Sequence, residues 1–229
     1  MKRNRFPNLV CGLGLAAGLC QILLYHFDLD DRGLLGPGSV FYVLLWVLTL
    51  AALPLCYFSE KPDTETNPRF FHVGDCTMGA AAALSAYGLN ASAQALRIIL
   101  LLCSAGAVAG LIYRGKQKKR GEPVKAFGSI MLCITLVLRL VTAYQTWSRE
   151  PQIQNYLFAL LGSLALAAFA YCQAAKDAGL PVSPWRNRLG LAAVYLNLAA
   201  AFGAVFQPFH FLAAAAVMPL LSEPEGPKC

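Results

Sequence analysis

Apolar runs of about twenty residues recur along almost the whole chain, and this repetition limits the fold more than any other feature. A helix that crosses the hydrocarbon core of a bilayer needs roughly 20 mostly apolar residues. The chain has 229 residues, of which 57% are hydrophobic and only 14% charged, whereas a soluble domain carries about 25% charged residues. Its longest polar stretches, 59–69 and 114–125, are loop-sized. No segment remains for a soluble domain. The expectation is an all-α polytopic transmembrane helix bundle, with 1–229 as a single transmembrane domain and 114–125 as a basic cytoplasmic loop.

The spans read as Pro7–Phe27, Ser39–Phe58, Phe70–Gly88, Ala91–Tyr113, Ala126–Trp147, Ile153–Ala175, Leu189–Phe206 and Phe209–Leu221. Gly36-Pro37-Gly38 opens the second, and Gly88-Leu89-Asn90 turns the third into the fourth. Gln207-Pro208 separates the last two, because proline breaks the helical hydrogen-bond ladder. The eighth segment is short, in the length range that often marks a re-entrant piece. Eight spans are expected, with seven as the alternative. The two halves of the chain show no self-similarity of the kind that marks transporter repeats.

Charge placement sets the expected orientation. With the N-terminus in the cytoplasm, the inner segments hold Lys2, Arg3, Arg5, Lys61, Arg69, Arg114, Lys116, Lys118, Lys119, Arg120, Lys125, Lys176, Arg186, Arg188 and Lys228, and the outer loops hold only Arg32 and Arg149. Lysine and arginine in short loops resist translocation, so this asymmetry orients the bundle. The net charge of +7 reflects these loops, and nucleic acid is not an expected partner. The basic start before Leu9–Leu24 looks like a signal peptide, but Tyr25-His26-Phe27-Asp28 stands where a small-residue cleavage site should follow. An uncleaved first span is expected. Tyr25, Tyr57, Tyr113, Tyr144, Trp147 and Trp185 mark span ends, as an interfacial aromatic belt does.

The eight cysteines form no CxxC pair and no zinc-like spacing with histidine, so they read as small packing residues. No metal or cofactor is implied. Gly14-Leu-Ala-Ala-Gly18 and Gly106-Ala-Val-Ala-Gly110 are GxxxG patterns that let helix backbones approach closely.

Two arginines, Arg97 and Arg139, fall inside expected spans, both in the outer half. A charge at the centre of a span costs about 2.5–3.5 kcal/mol on insertion scales. One reading is that each snorkels or pairs with a carboxylate such as Asp28. The other is an outward-facing pocket bounded by Arg97, Arg139, Asp28, Trp147, Arg149 and Tyr156. Guanidinium there would grip an anionic group in bidentate fashion. His72 and Asp75 share a helical face at i,i+3 near the cytoplasmic start of the third span, where interfacial polarity costs little. Asn197 suits an interhelical hydrogen bond. HExxH, Walker A and GxSxG patterns are missing. Ser163 and His210 could be drawn as a dyad, but the flanks of Ser163 are not protease-like, and helical serine commonly bonds back to the backbone.

Two stretches carry a resemblance. One is Asp30-Asp31-Arg32-Gly33-Leu34-Leu35 with Gly38 and Trp46; the other is Trp147-Ser148-Arg149-Glu150-Pro151-Gln152 with Tyr156. Together they resemble a group of small multi-span membrane proteins of gut Clostridia and related Firmicutes. The resemblance implies a bacterial cytoplasmic membrane and no particular activity.

Three functional expectations follow. The leading one is a non-enzymatic module that binds, senses or helps transport a small anionic or amphiphilic ligand in the bilayer. The second is an intramembrane enzyme for a lipid-linked substrate, using Asp28, Asp30 or Asp31 with a metal. The third is a structural subunit that binds another membrane protein through its Gly/Ala-rich faces.

Overall fold

The computed structural model describes residues 6–28, 39–59, 68–87, 94–116, 123–147, 156–180, 184–203 and 207–221. These fold into eight α-helices: α1 (Phe6–Phe27), α2 (Val40–Phe58), α3 (Pro68–Tyr87), α4 (Gln94–Lys116), α5 (Pro123–Trp147), α6 (Leu157–Asp177), α7 (Trp185–Ala201) and α8 (Pro208–Leu221). There is no strand among the described residues.

Local chemistry explains several helix ends. Three helices open on proline, at Pro68, Pro123 and Pro208. Proline's fixed φ suits the first helical position, where its missing N–H costs nothing. Ser39 caps α2 by accepting from the Tyr42 amide at 3.1 Å, which satisfies one orphan donor. At the far end of α6, Gly179 adopts φ +81°. Its amide donates to the Lys176 carbonyl, and that of Leu180 to the Ala175 carbonyl, each at 3.0 Å. That is a Schellman closure, which needs a residue at ease in the left-handed region.

The all-helical bundle expected from the sequence is present. Five helices are long and apolar enough to cross a membrane on their own: α1, α2, α4, α5 and α6. The eighth segment is a helix of 14 residues, apolar but shorter. Helix α7 starts at Trp185, ahead of the expected Leu189. The reason is that Arg186, expected in a cytoplasmic loop, is a buried helical residue whose hydrogen bonds are met inside the bundle.

Helices α3 to α8 form a closed ring in which each packs on the next and α8 returns to pack on α3. Helix α1 lies against the outside of α7, and α2 packs on α1 and α7. Thr49 of α2 and Tyr195 of α7 share a hydrogen bond of 2.8 Å across that contact. Helix α7 is therefore enclosed by α1, α2, α6 and α8. Its buried face includes Ala193, Val194, Leu198, Ala199, Ala200 and Ala201. Apolar side chains also cover the outside: Val43, Val47, Leu50 and Leu53 of α2 and Ile98, Ile99, Leu101 and Leu102 of α4 are exposed. Contiguous exposed apolar surface on this scale is unusual in a soluble monomer and suits hydrocarbon.

Both GxxxG patterns are used within the chain. A Cβ on Gly18 would strike the Phe202 ring at 2.5 Å, and one on Gly14 would meet Leu198 at 3.0 Å, so α1 seats on α7 through these two glycines. A Cβ on Gly110 would lie 2.4 Å from the Cα of Gly128, so α4 and α5 cross in backbone contact. Gly106 faces Met131 of α5.

Candidate functional site

The ring carries two layers of buried polar side chains. The first lies at the basic end, the end that the lysine- and arginine-rich loops adjoin. There Arg114 of α4 sits between two carboxylates. Its Nη1 is 3.1 Å from Asp75 Oδ1 of α3, and its Nε is 3.3 Å from Asp177 Oδ1 of α6. Ser129 of α5 donates to Asp177 Oδ2 at 2.6 Å, and Gln173 Nε2 donates to Asp177 Oδ1 at 3.3 Å. Arg186 of α7 donates through Nε to Gln173 Oε1 at 2.9 Å and through Nη2 to the Leu220 carbonyl of α8. Every ring helix thus contributes to one connected network. Two arginines and two aspartates make its formal charge balance, which is the condition under which buried ions persist.

The second layer lies toward the opposite end and is not balanced. Arg139 of α5, 7% exposed, donates from Nη1 to the Ser85 carbonyl of α3 at 3.1 Å. Its guanidinium carbon stands 3.9 Å from the centroid of the Phe209 ring of α8, a cation–π contact. The next residue, His210, is fully buried, and its ring centroid is 4.9 Å from that of Phe209. His210 Nδ1 lies 2.7 Å from Asn197 Oδ1 of α7. Asn197 Nδ2 in turn donates to the carbonyls of Gly162 in α6 and Ala193 in α7, at 2.9 and 2.8 Å. This layer links α3, α5, α6, α7 and α8, and no carboxylate among the described residues pairs with its arginine.

The residues expected to bound a pocket do not all meet. Arg97 falls in the first turn of α4, because that helix starts at Gln94, and it is exposed while Arg139 is buried. The two do not share an enclosed site. Asp28 accepts a hydrogen bond from Ser39 Oγ, tying the end of α1 to the start of α2, and Arg139 turns to a carbonyl and a ring instead of to Asp28. Trp147 ends α5, and Tyr156 is half-buried just before α6. Arg149, Asp30, Asp31 and Glu150 lie outside the described residues. His72 is exposed while Asp75 is buried, so the expected pair separates: Asp75 belongs to the network and His72 does not. Asn197 makes the interhelical bond expected of it.

Several participants were missed by sequence reasoning. Asp177 carried no motif, although Gln173 and Asp177 stand at i,i+4, the spacing of one helical face. The sequence alone suggests no partner for His210 beyond Ser163. The hairpin implied by Gln207-Pro208, which folds α8 back along α7, was the available sign that His210 could face Asn197. No group of three or more His, Cys, Asp or Glu suited to a metal occurs among the described residues. No protein-family model, no curated protein and no solved structure matches this chain.

Proposed function

We propose that this chain is a non-enzymatic multi-pass membrane protein that binds a small anionic or amphiphilic ligand inside the α3–α8 ring, as a sensing or transport-accessory module. One observation supports the reading above all others. Arg139 is a buried cation inside an apolar bundle, held by a carbonyl and a phenyl face and by no carboxylate among the described residues. A buried charge is costly unless paired, and an ionisable side chain within a membrane span is by default a sign of function. An anion beside Arg139 completes the site as Asp75 and Asp177 complete Arg114. In this reading the basic end faces the cytoplasm and the protein resides in a bacterial cytoplasmic membrane, in keeping with the positive-inside asymmetry and the resemblance of its loops.

The test is thermal unfolding of the purified protein, in detergent, against a panel of inorganic anions, short carboxylates and anionic amphiphiles. At least one class raises the melting temperature of the native protein and of Arg97→Leu, and loses that effect with Arg139→Leu. A flat response across the panel, or an unchanged one in Arg139→Leu, overturns the reading. Reporter fusions in the 114–125 loop test the orientation and are expected to show it inside the cell.

A further inference from the structure

Resting on that anion reading, we infer that His210 supplies a second recognition element: the site takes an anion that carries its own hydrogen-bond donor, such as a hydroxy-carboxylate or a protonated oxyanion. The argument begins at Asn197. Its Nδ2 faces two carbonyl oxygens, of Gly162 at 2.9 Å and Ala193 at 2.8 Å. A carbonyl only accepts, so both positions require the NH₂ group, and the amide orientation is fixed. Asn197 Oδ1 is then the atom that meets His210 Nδ1 at 2.7 Å. An amide oxygen has no proton to give, so Nδ1 must be the donor. In the neutral ring the lone pair is therefore on Nε2, as an acceptor.

That atom is the one buried side-chain nitrogen or oxygen among the described residues that lacks a hydrogen-bond partner. An acceptor left unmade in a buried site is destabilising, and an apolar side chain would fill the same space without that penalty. Instead the bundle fixes the tautomer through Asn197 and leaves Nε2 bare. The Arg139 guanidinium carbon and the His210 ring each lie beside the same Phe209 ring, at 3.9 and 4.9 Å from its centroid. One of the five guanidinium donors goes to Ser85. A bare acceptor and an arginine fork beside one phenyl ring match a compact ligand with an anionic oxygen at one end and an O–H or N–H at the other. Acetate, chloride and other anions without a donor satisfy only half of this arrangement.

The experiment uses the full chain in detergent, with acetate, glycolate, phosphate and chloride compared at constant ionic strength. Calorimetric titration is expected to show glycolate binding about tenfold more tightly than acetate, the equivalent of one good hydrogen bond, about 1.4 kcal/mol. Phosphate, in its singly protonated range, should follow glycolate. His210→Phe should abolish the preference, bringing glycolate to the same affinity as acetate. Nitrogen-15 NMR of histidine-labelled native protein gives a second readout that needs no variant. Of three histidines, His26 and His72 are exposed, so the buried ring is distinguishable, with its proton on Nδ1 and an Nε2 resonance that glycolate moves and acetate does not. Equal affinities for acetate and glycolate, a preference that survives in His210→Phe, or a ring proton found on Nε2 overturns the inference. If anions still bind through Arg139 in that case, the broader reading stands alone. If no anion binds and Nε2 never responds, water is the occupant and both fail.

Discussion

Arg114 of α4 reaches Asp75 of α3 through a 3.1 Å contact between residues 39 positions apart in the chain, and the same guanidinium turns its Nε to Asp177 of α6. A side chain that the sequence assigns to a basic loop is thus a 7%-exposed tie between three helices.

Removing it should be severe. Arg114→Met takes away the cation that Asp75 and Asp177 share, and breaking a buried pair by deleting one partner costs about 3–5 kcal/mol. Unfolding by denaturing detergent, followed by circular dichroism, should show a loss of that size. Arg114→Met combined with Asp75→Asn should be less damaging than the sum of the single changes, because the residues share one interaction.

The crossing of α4 and α5 gives a steric prediction. Gly110→Ala places a methyl group 2.4 Å from a backbone carbon of Gly128, so the helices must separate. Overpacking of this kind costs about 1–3 kcal/mol, and the melting temperature should fall. Gly12→Ala is the control: no neighbouring atom lies within 4 Å of the added carbon, and stability should be retained.

Asn197→Ala removes the amide that joins α7 to α6 and orients His210. It leaves the His210 Nδ1–H without its acceptor, at a cost of about 1–3 kcal/mol. The double change Asn197→Ala with His210→Ala should destabilise by less than the two separate losses combined. A strictly additive result in thermal unfolding would mean that the two side chains do not act as a unit.

The helices were legible because an apolar run of span length, bounded by proline, glycine or charge, has few other solutions. Their facing was not. Arg97 and Arg139 look equivalent in the sequence, since both interrupt apolar runs near the same end. Yet one is exposed and the other points across the ring. Helices α4 and α5 are apolar over most of their circumference, so periodicity supplies little azimuth. Arg186 looked like loop material for a related reason. A charged residue beside Trp185 and Arg188 reads as interfacial until Gln173 and the Leu220 carbonyl, both distant in sequence, are found around it. Asn197 was legible because an amide within an apolar run has few uses besides bonding to a neighbour.

The return of α8 onto α3 has a consequence for biogenesis. Until α8 emerges from the ribosome, helices α3 to α7 can form only an open horseshoe, with Gly74 lacking the Pro219 ring against which it nests and Arg186 lacking the Leu220 oxygen. Closure of the ring therefore waits on α8. A nascent chain stalled short of α8 leaves the Arg139 guanidinium without the Phe209 ring and the Asn197 amide oxygen without the His210 donor, so both polar groups stay unshielded within the apolar bundle until that helix docks.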